Sequence, residues 1–243
     1  MIIGGLQKIS LLDYPGCVSA IIFTQGCNFR CPFCYNPMLV EPAGFGKLKY
    51  LEKSRQEDYP TINEDDLFVF LKKRQGKLDA VVVTGGEPTI HKDLPEFLDK
   101  IQKLDYKIKL DTNGTNPALL KQLISKKLVN YIAMDIKAAF DNYNQASGVG
   151  VDLEKIKKSI KIIRESSLPY EFRTTLVPEL VTKDDVEKLS KLLVDVEKWY
   201  LQKLQINTEL LDQKIKKIKP YTTKEMEELL KVAKVNVKNC FSR

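Results

Sequence analysis

The chain has 243 residues, 43% hydrophobic and 29% charged, with a formal net charge of +7. That balance excludes a disordered or disulfide-dense chain, and the length suits one larger domain, so a single domain over 1–243 is expected. The excess lysines are dispersed over helical stretches, as at Lys155, Lys157, Lys158 and Lys161, without interleaved aromatics, which reads as a solvated face rather than a nucleic-acid track.

The opening segment, MIIGGLQKISLLDYPG, has no basic stretch ahead of an apolar run. No later run reaches the roughly 18 apolar residues of a membrane span, so a cytoplasmic protein is expected. Five cysteines are an odd number, and three of them are clustered, which favours thiolate chemistry in a reducing compartment over paired disulfides. Cys17 and Cys240 stand apart and are expected to be small buried or incidental thiols.

The first strand is read at Val18–Thr24, and QGCNFRCPFCY follows it, placing Cys27, Cys31 and Cys34 within eight residues. The segment Glu41–Pro60 has no steady period and is expected to be a loop, at the mouth of a site or simply on the surface. Helical patterns then run over 62–75, 93–104, 116–127, 151–166, 182–197 and 223–235, with start signals at Thr61 or Asn63, Asp93, Asn116-Pro117 and the Thr182/Asp185 pair. Between them lie β-branched runs at Ala80–Thr84, Lys107–Asp111, Tyr131–Asp135, Glu171–Val177 and Leu204–Asn207.

Strand and helix in alternation imply an α/β fold with a parallel sheet and right-handed crossovers, either doubly wound or an incomplete barrel. In both, reactive groups sit beyond the carboxyl ends of the strands. The cysteine loop, Gly85-Gly86-Glu87-Pro88, Asp111-Thr112-Asn113-Gly114, Asp135 with Lys137, and Asn207 all fall at such ends, and Arg173 lies within the fifth strand.

A CxxxCxxC run brings three soft ligands to one loop. Structural zinc wants four, and no second CxxC exists, although the only histidine, His91, offers a fourth ligand. A dithiol redox pair would leave one cysteine surplus. The other reading is a [4Fe–4S] cluster with three thiolates and one open iron.

With Phe33 directly before the last cysteine, the run resembles the signature of radical S-adenosylmethionine (SAM) enzymes. The resemblance implies an incomplete (β/α)6 barrel over a core of about 16–210, with a C-terminal helix at about 222–237. It implies that Cys27, Cys31 and Cys34 hold the cluster and that SAM chelates its open iron. The reduced cluster then cleaves SAM to a 5′-deoxyadenosyl radical, which abstracts hydrogen. By the same resemblance, Gly85, Gly86 and Glu87 approach the methionine ammonium. Backbone atoms at Phe33 and Tyr35 contact adenine, although Tyr35 stands where the nearest relatives usually have histidine. Asp135 and Lys137 match a DxK motif at the ribose and carboxylate of SAM. Asn113 matches the DTNG turn, Arg173 the carboxylate or substrate loop, and Asn207 a ribose contact. A monovalent cation near Asp111 and Asp135 is a further implied ligand.

LQKISLLDYPG together with CPFCYNP resembles activators of glycyl radical enzymes, most closely those of anaerobic ribonucleoside-triphosphate reductase. The implied partners are therefore a glycyl radical enzyme and a flavodoxin or ferredoxin as electron donor. The alternatives are a small-molecule enzyme of the deazaguanine-synthase type, or a non-catalytic iron–sulfur or zinc protein that binds nucleic acid.

Overall fold

The structure, a computed structural model, describes residues 1–40 and 61–243; the expected loop at 41–60 lies outside them. Two compact units emerge. One comprises Met1–Asn28, Met38–Ile132 and Lys155–Leu168, the other Phe29–Pro37, Ala133–Glu154 and Pro169–Arg243.

In the first unit, β1 (Ile3–Ser10) runs antiparallel to β2 (Ser19–Thr24), from Ile3 opposite Thr24 to Ser10 opposite Ser19. β2, β3 (Ala80–Gly85) and β4 (Lys107–Thr112) are parallel, with Thr24 opposite Gly85. Ala80, Val81, Val82 and Val83 are all buried, as befits a strand covered on both faces. The helices α1 (Glu64–Arg74), α2 (Leu94–Gln102) and α3 (Pro117–Ser125) belong to this unit. Asn63 caps α1, whose first turn is acidic and last turn basic, in keeping with the helix dipole. Leu94, Phe97, Leu98 and Ile101 form the buried stripe of α2 at helical spacing.

Strand β5 (Tyr131–Asp135) and helix α5 (Leu153–Glu165) each have residues in both units, and the short α4 (Tyr143–Ser147) lies in the second. There β6 (Tyr170–Leu176), β7 (Trp199–Lys203) and β8 (Cys240–Ser242) run parallel. Capping boxes at Thr182/Asp185 and Thr222/Glu225 start α6 (Lys183–Leu192) and α7 (Thr223–Lys234). Trp199 is fully buried, and its indole N–H donates to Thr174 Oγ1 at 3.1 Å. Strand order follows chain order from β1 to β8 in an eight-stranded sheet.

Five of the six expected strands stand within a residue or two of their expected bounds; the sixth is corrected. It lies at Trp199–Lys203, where aromatic and apolar residues alternate into the core, and Leu204–Asn207 is irregular. β1 and β8 are additional strands. β1 makes the sheet mostly rather than wholly parallel, and β8, with three residues, is too short to show a period. No helix among the described residues is long and apolar enough to cross a membrane.

Candidate active site

In the first unit, the stem of the cysteine loop and the Gly85-Gly86-Glu87-Pro88 turn lean on each other. The amides of Gly86 and Glu87 donate to the carbonyls of Thr24 and Gly26, each at 2.8 Å. A Cβ on Gly85, whose φ is +118°, would lie 2.3 Å from the Thr24 nitrogen, and one on Gly86 would lie 2.0 Å from the Gly26 oxygen. The two glycines are thus required by chain packing beside Cys27. On the same stem, the amides of Gly26 and Cys27 donate to the Leu39 and Val40 carbonyls at 2.7 and 2.9 Å.

Glu87 is buried and joins this turn to the next one. Its carboxylate accepts from the Thr89 amide and hydroxyl, from Thr112 Oγ1 at 2.7 Å and from the Asn113 amide at 2.6 Å. Burial pushes its pKa above the usual carboxylate range, against the pull of these donors. Asn113 Nδ2 donates to Asn28 Oδ1, and Asn28 Nδ2 to Thr115 Oγ1, both at 2.8 Å. Asn28 lies inside the cysteine loop and was not singled out by the sequence. Its cue is its position between Cys27 and Cys31, which by itself names no partner. Lys109 is buried with its ammonium 2.8 Å from Asp111, so one carboxylate of the expected cation site already has a cationic neighbour. His91 closes the turn after Glu87, and burial holds its pKa below the ordinary imidazole value.

In the second unit, Cys31 and Phe33 are buried, and Cys34 is half-buried. Their loop is held by backbone from two sides. The Arg30 amide donates to Ser147 O at 2.8 Å, and Gly148 is obligatory there because a Cβ would lie 2.0 Å from Arg30 O. On the other side, Asp212 N donates to Pro32 O at 2.9 Å, Leu211 N to Cys34 O at 3.2 Å and Gln205 N to the Tyr35 phenol oxygen at 3.0 Å.

Asp135, at the end of β5, accepts from Arg173 Nε at 2.7 Å and from Lys137 Nζ at 3.1 Å. Burial works against its charge, but the two cations hold the carboxyl well below its usual range. Burial likewise works against the Lys137 ammonium, and the Asp135 carboxylate more than offsets it, so the lysine stays charged. Burial pushes the Cys31 thiol up to about 11, against the pull of Lys137, and raises Cys34 as well. An ammonium beside a buried thiol favours the thiolate that an iron centre requires.

One unit therefore gathers Gly85, Gly86, Glu87 and Asn113 with the Cys27 stem, and the other gathers Cys31, Phe33, Cys34 and Tyr35 with Asp135, Lys137 and Arg173. Among the described residues, no three His, Cys, Asp or Glu side chains stand together as a ready metal cage, His91 included. Asn207 is exposed in the irregular stretch after β7, four residues past the strand end where it was expected. The donor set fits an iron–sulfur centre: three thiols on one loop, two of them in the unit that carries the Lys137 and Arg173 cations with the Asp135 carboxylate between them. Of the isolated cysteines, Cys240 is buried with its thiol pushed up to about 12 by burial, and Cys17 packs beside Tyr14, Ile21, Val82 and Tyr131.

A sequence profile of the Radical SAM superfamily matches residues 21–193. A protein of Methanocaldococcus jannaschii that carries the provisional name glycyl-radical enzyme activating enzyme is 34% identical, over 100% of this chain and 95% of its own length. A second protein of that organism with the same provisional name is 29% identical, over 79% of this chain and 68% of its own length. Among solved structures, SuiB of Streptococcus suis bound to S-adenosylmethionine superposes with a TM-score of 0.66 at 16% identity, over 92% of this chain, a likeness of fold. The chain spans about half of SuiB, 49% of its length.

Proposed function

The chain belongs to the radical SAM superfamily, and we propose that it is a cytoplasmic, single-domain activating enzyme that places a glycyl radical on an anaerobic ribonucleoside-triphosphate reductase. A [4Fe–4S] cluster held by Cys27, Cys31 and Cys34, with SAM bound, would supply the chemistry: one-electron reductive cleavage of the sulfonium, with the electron from a flavodoxin or ferredoxin, coupled to removal of a glycine Cα hydrogen and release of methionine and 5′-deoxyadenosine.

The residues of this chain bind, orient and shield. Cys27, Cys31 and Cys34 hold the metal, and the ties from Ser147, Leu211 and Asp212 set the loop before any ligand arrives. Lys137 and Arg173 offer positive charge to the SAM carboxylate, with Asp135 holding both in place. Gly85 and Gly86 let the turn close on the stem of Cys27, and Glu87 locks that turn to Asn113. Phe33 and Tyr35 carry the backbone proposed to face adenine. A glycine is a suitable target because its Cα radical is flanked by amide groups and no side chain obstructs approach.

The observation that carries this reading is the placement of Cys31 and Cys34 in the unit that holds the Lys137–Asp135–Arg173 triad. The full-length relative's provisional name supports a glycyl radical enzyme as the class of partner, and the likeness of LLDYPG and CPFCYNP to reductase activators supports the reductase within that class.

Anaerobic reconstitution with iron and sulfide, then addition of SAM and dithionite, tests the reading. The expected product is 5′-deoxyadenosine, abolished in Cys27→Ala, Cys31→Ala and Cys34→Ala and retained in Cys17→Ala and Cys240→Ala. Stoichiometric zinc binding without 5′-deoxyadenosine would overturn it.

A further inference from the structure

Glu171 is a carboxylate the chemistry above does not use, buried to 1% exposure inside β6. A buried charge is costly unless it is paired. Being two residues apart on a strand, Glu171 and Arg173 share a face, and Arg173 Nη1 lies 3.9 Å from Glu171 Oε1. The other oxygen, Oε2, lies 3.6 Å from Arg243 Nη2.

Arg243 is itself held firmly. Its amide donates to Leu201 O and its carbonyl accepts from Lys203 N, both at 2.9 Å, continuing the β7–β8 pairing. Its guanidinium carbon lies 3.5 Å from the ring centroid of Tyr200, and Tyr200 is the register partner of Arg173 on the neighbouring strand. Charges of alternating sign thus run from Lys137 through Asp135, Arg173 and Glu171 to Arg243.

We propose that Arg243 is a positioning residue for Arg173: it engages one side of the Glu171 carboxylate, so that Arg173 stays seated on Asp135, where it is available to the carboxylate of SAM. Without Arg243, the pull of Glu171 falls more fully on Arg173 and draws it from Asp135. This deepens the reading of Arg173 as a SAM contact and rests on it.

The test uses full-length protein. In Arg243→Met, the KM for SAM is expected to rise about five- to tenfold, with kcat at saturating SAM little changed. Adding Glu171→Gln should restore the KM, because the competing charge is gone; damage to packing would not be repaired by a second substitution. In the cluster-free chain, Arg243→Met should shift the Arg173 Nε–H resonance, and Arg243→Lys should shift it less. An unchanged KM together with an unchanged Nε–H resonance would overturn the proposal, as would additive effects in the double variant. If Arg243→Met fails to fold, Arg243→Gln, which also removes the charge, provides the same two readouts. If the wild-type chain cleaves no SAM, the functional reading fails, and the Nε–H resonance still decides whether Arg243 sets Arg173.

Discussion

The phenol oxygen of Tyr35 accepts the backbone N–H of Gln205 at 3.0 Å, tying the residue after Cys34 to the segment that leaves β7. Tyr35→Phe removes that acceptor. The cluster-free protein is expected to lose about 1 kcal/mol of stability. Hydrogen exchange at the Gln205 amide should accelerate. Unchanged exchange at that amide would show that the tether does not act in solution.

Glu87→Gln tests the junction between two turns. Both Glu87 oxygens accept hydrogen bonds, whereas a glutamine accepts on one and presents donors on the other side. The expected loss is about 1–3 kcal/mol in urea unfolding, since a buried donor then faces a donor. A midpoint within experimental error of wild type would contradict this role.

Gly86→Ala places a Cβ 2.0 Å from the Gly26 oxygen and should destabilise by about 1–3 kcal/mol while impairing iron uptake at Cys27. Gly150→Ala meets nothing within 4 Å and serves as the neutral control. Equal effects of the two substitutions on thermal unfolding would remove the packing explanation for the glycine pair.

His91 gives a pH signature. Burial holds its folded pKa below 6.5, so the unfolded chain binds the extra proton first as pH falls. The stability it contributes is present above about pH 6.5 and declines below it. His91→Gln should flatten the difference between urea midpoints at pH 7.5 and pH 5.5. Because His91 is the only histidine, the subtraction from wild type isolates one group.

Much of this was legible in the sequence because the central strands are β-branched runs buried on both faces and the reactive groups follow their ends. Ala80–Gly85 and Tyr131–Asp135 stand where alternation placed them, and the parallel α/β fold of the superfamily followed from that alternation. Gly85 and Gly86 were read from the family resemblance as approaching the methionine ammonium, whereas their close packing on Thr24 and Gly26 depends on a neighbouring strand that spacing does not reveal. Asn207 was misplaced because an apolar LQIN run outweighed the aromatic WYLQK beside it, although Trp199 is the residue that fills the core. Asn28, Glu171 and Arg243 gain their roles from partners more than 70 residues away. Such pairings are set by strand order, and a local pattern is silent about them.

The most direct test of the central claim is electron paramagnetic resonance on an anaerobic ribonucleoside-triphosphate reductase mixed with the reconstituted chain, SAM and reduced flavodoxin. The expected result is a glycyl radical doublet in the reductase, absent with the Cys31→Ala chain and absent when the target glycine is replaced by alanine. Sustained 5′-deoxyadenosine formation with no glycyl signal in the reductase would contradict it.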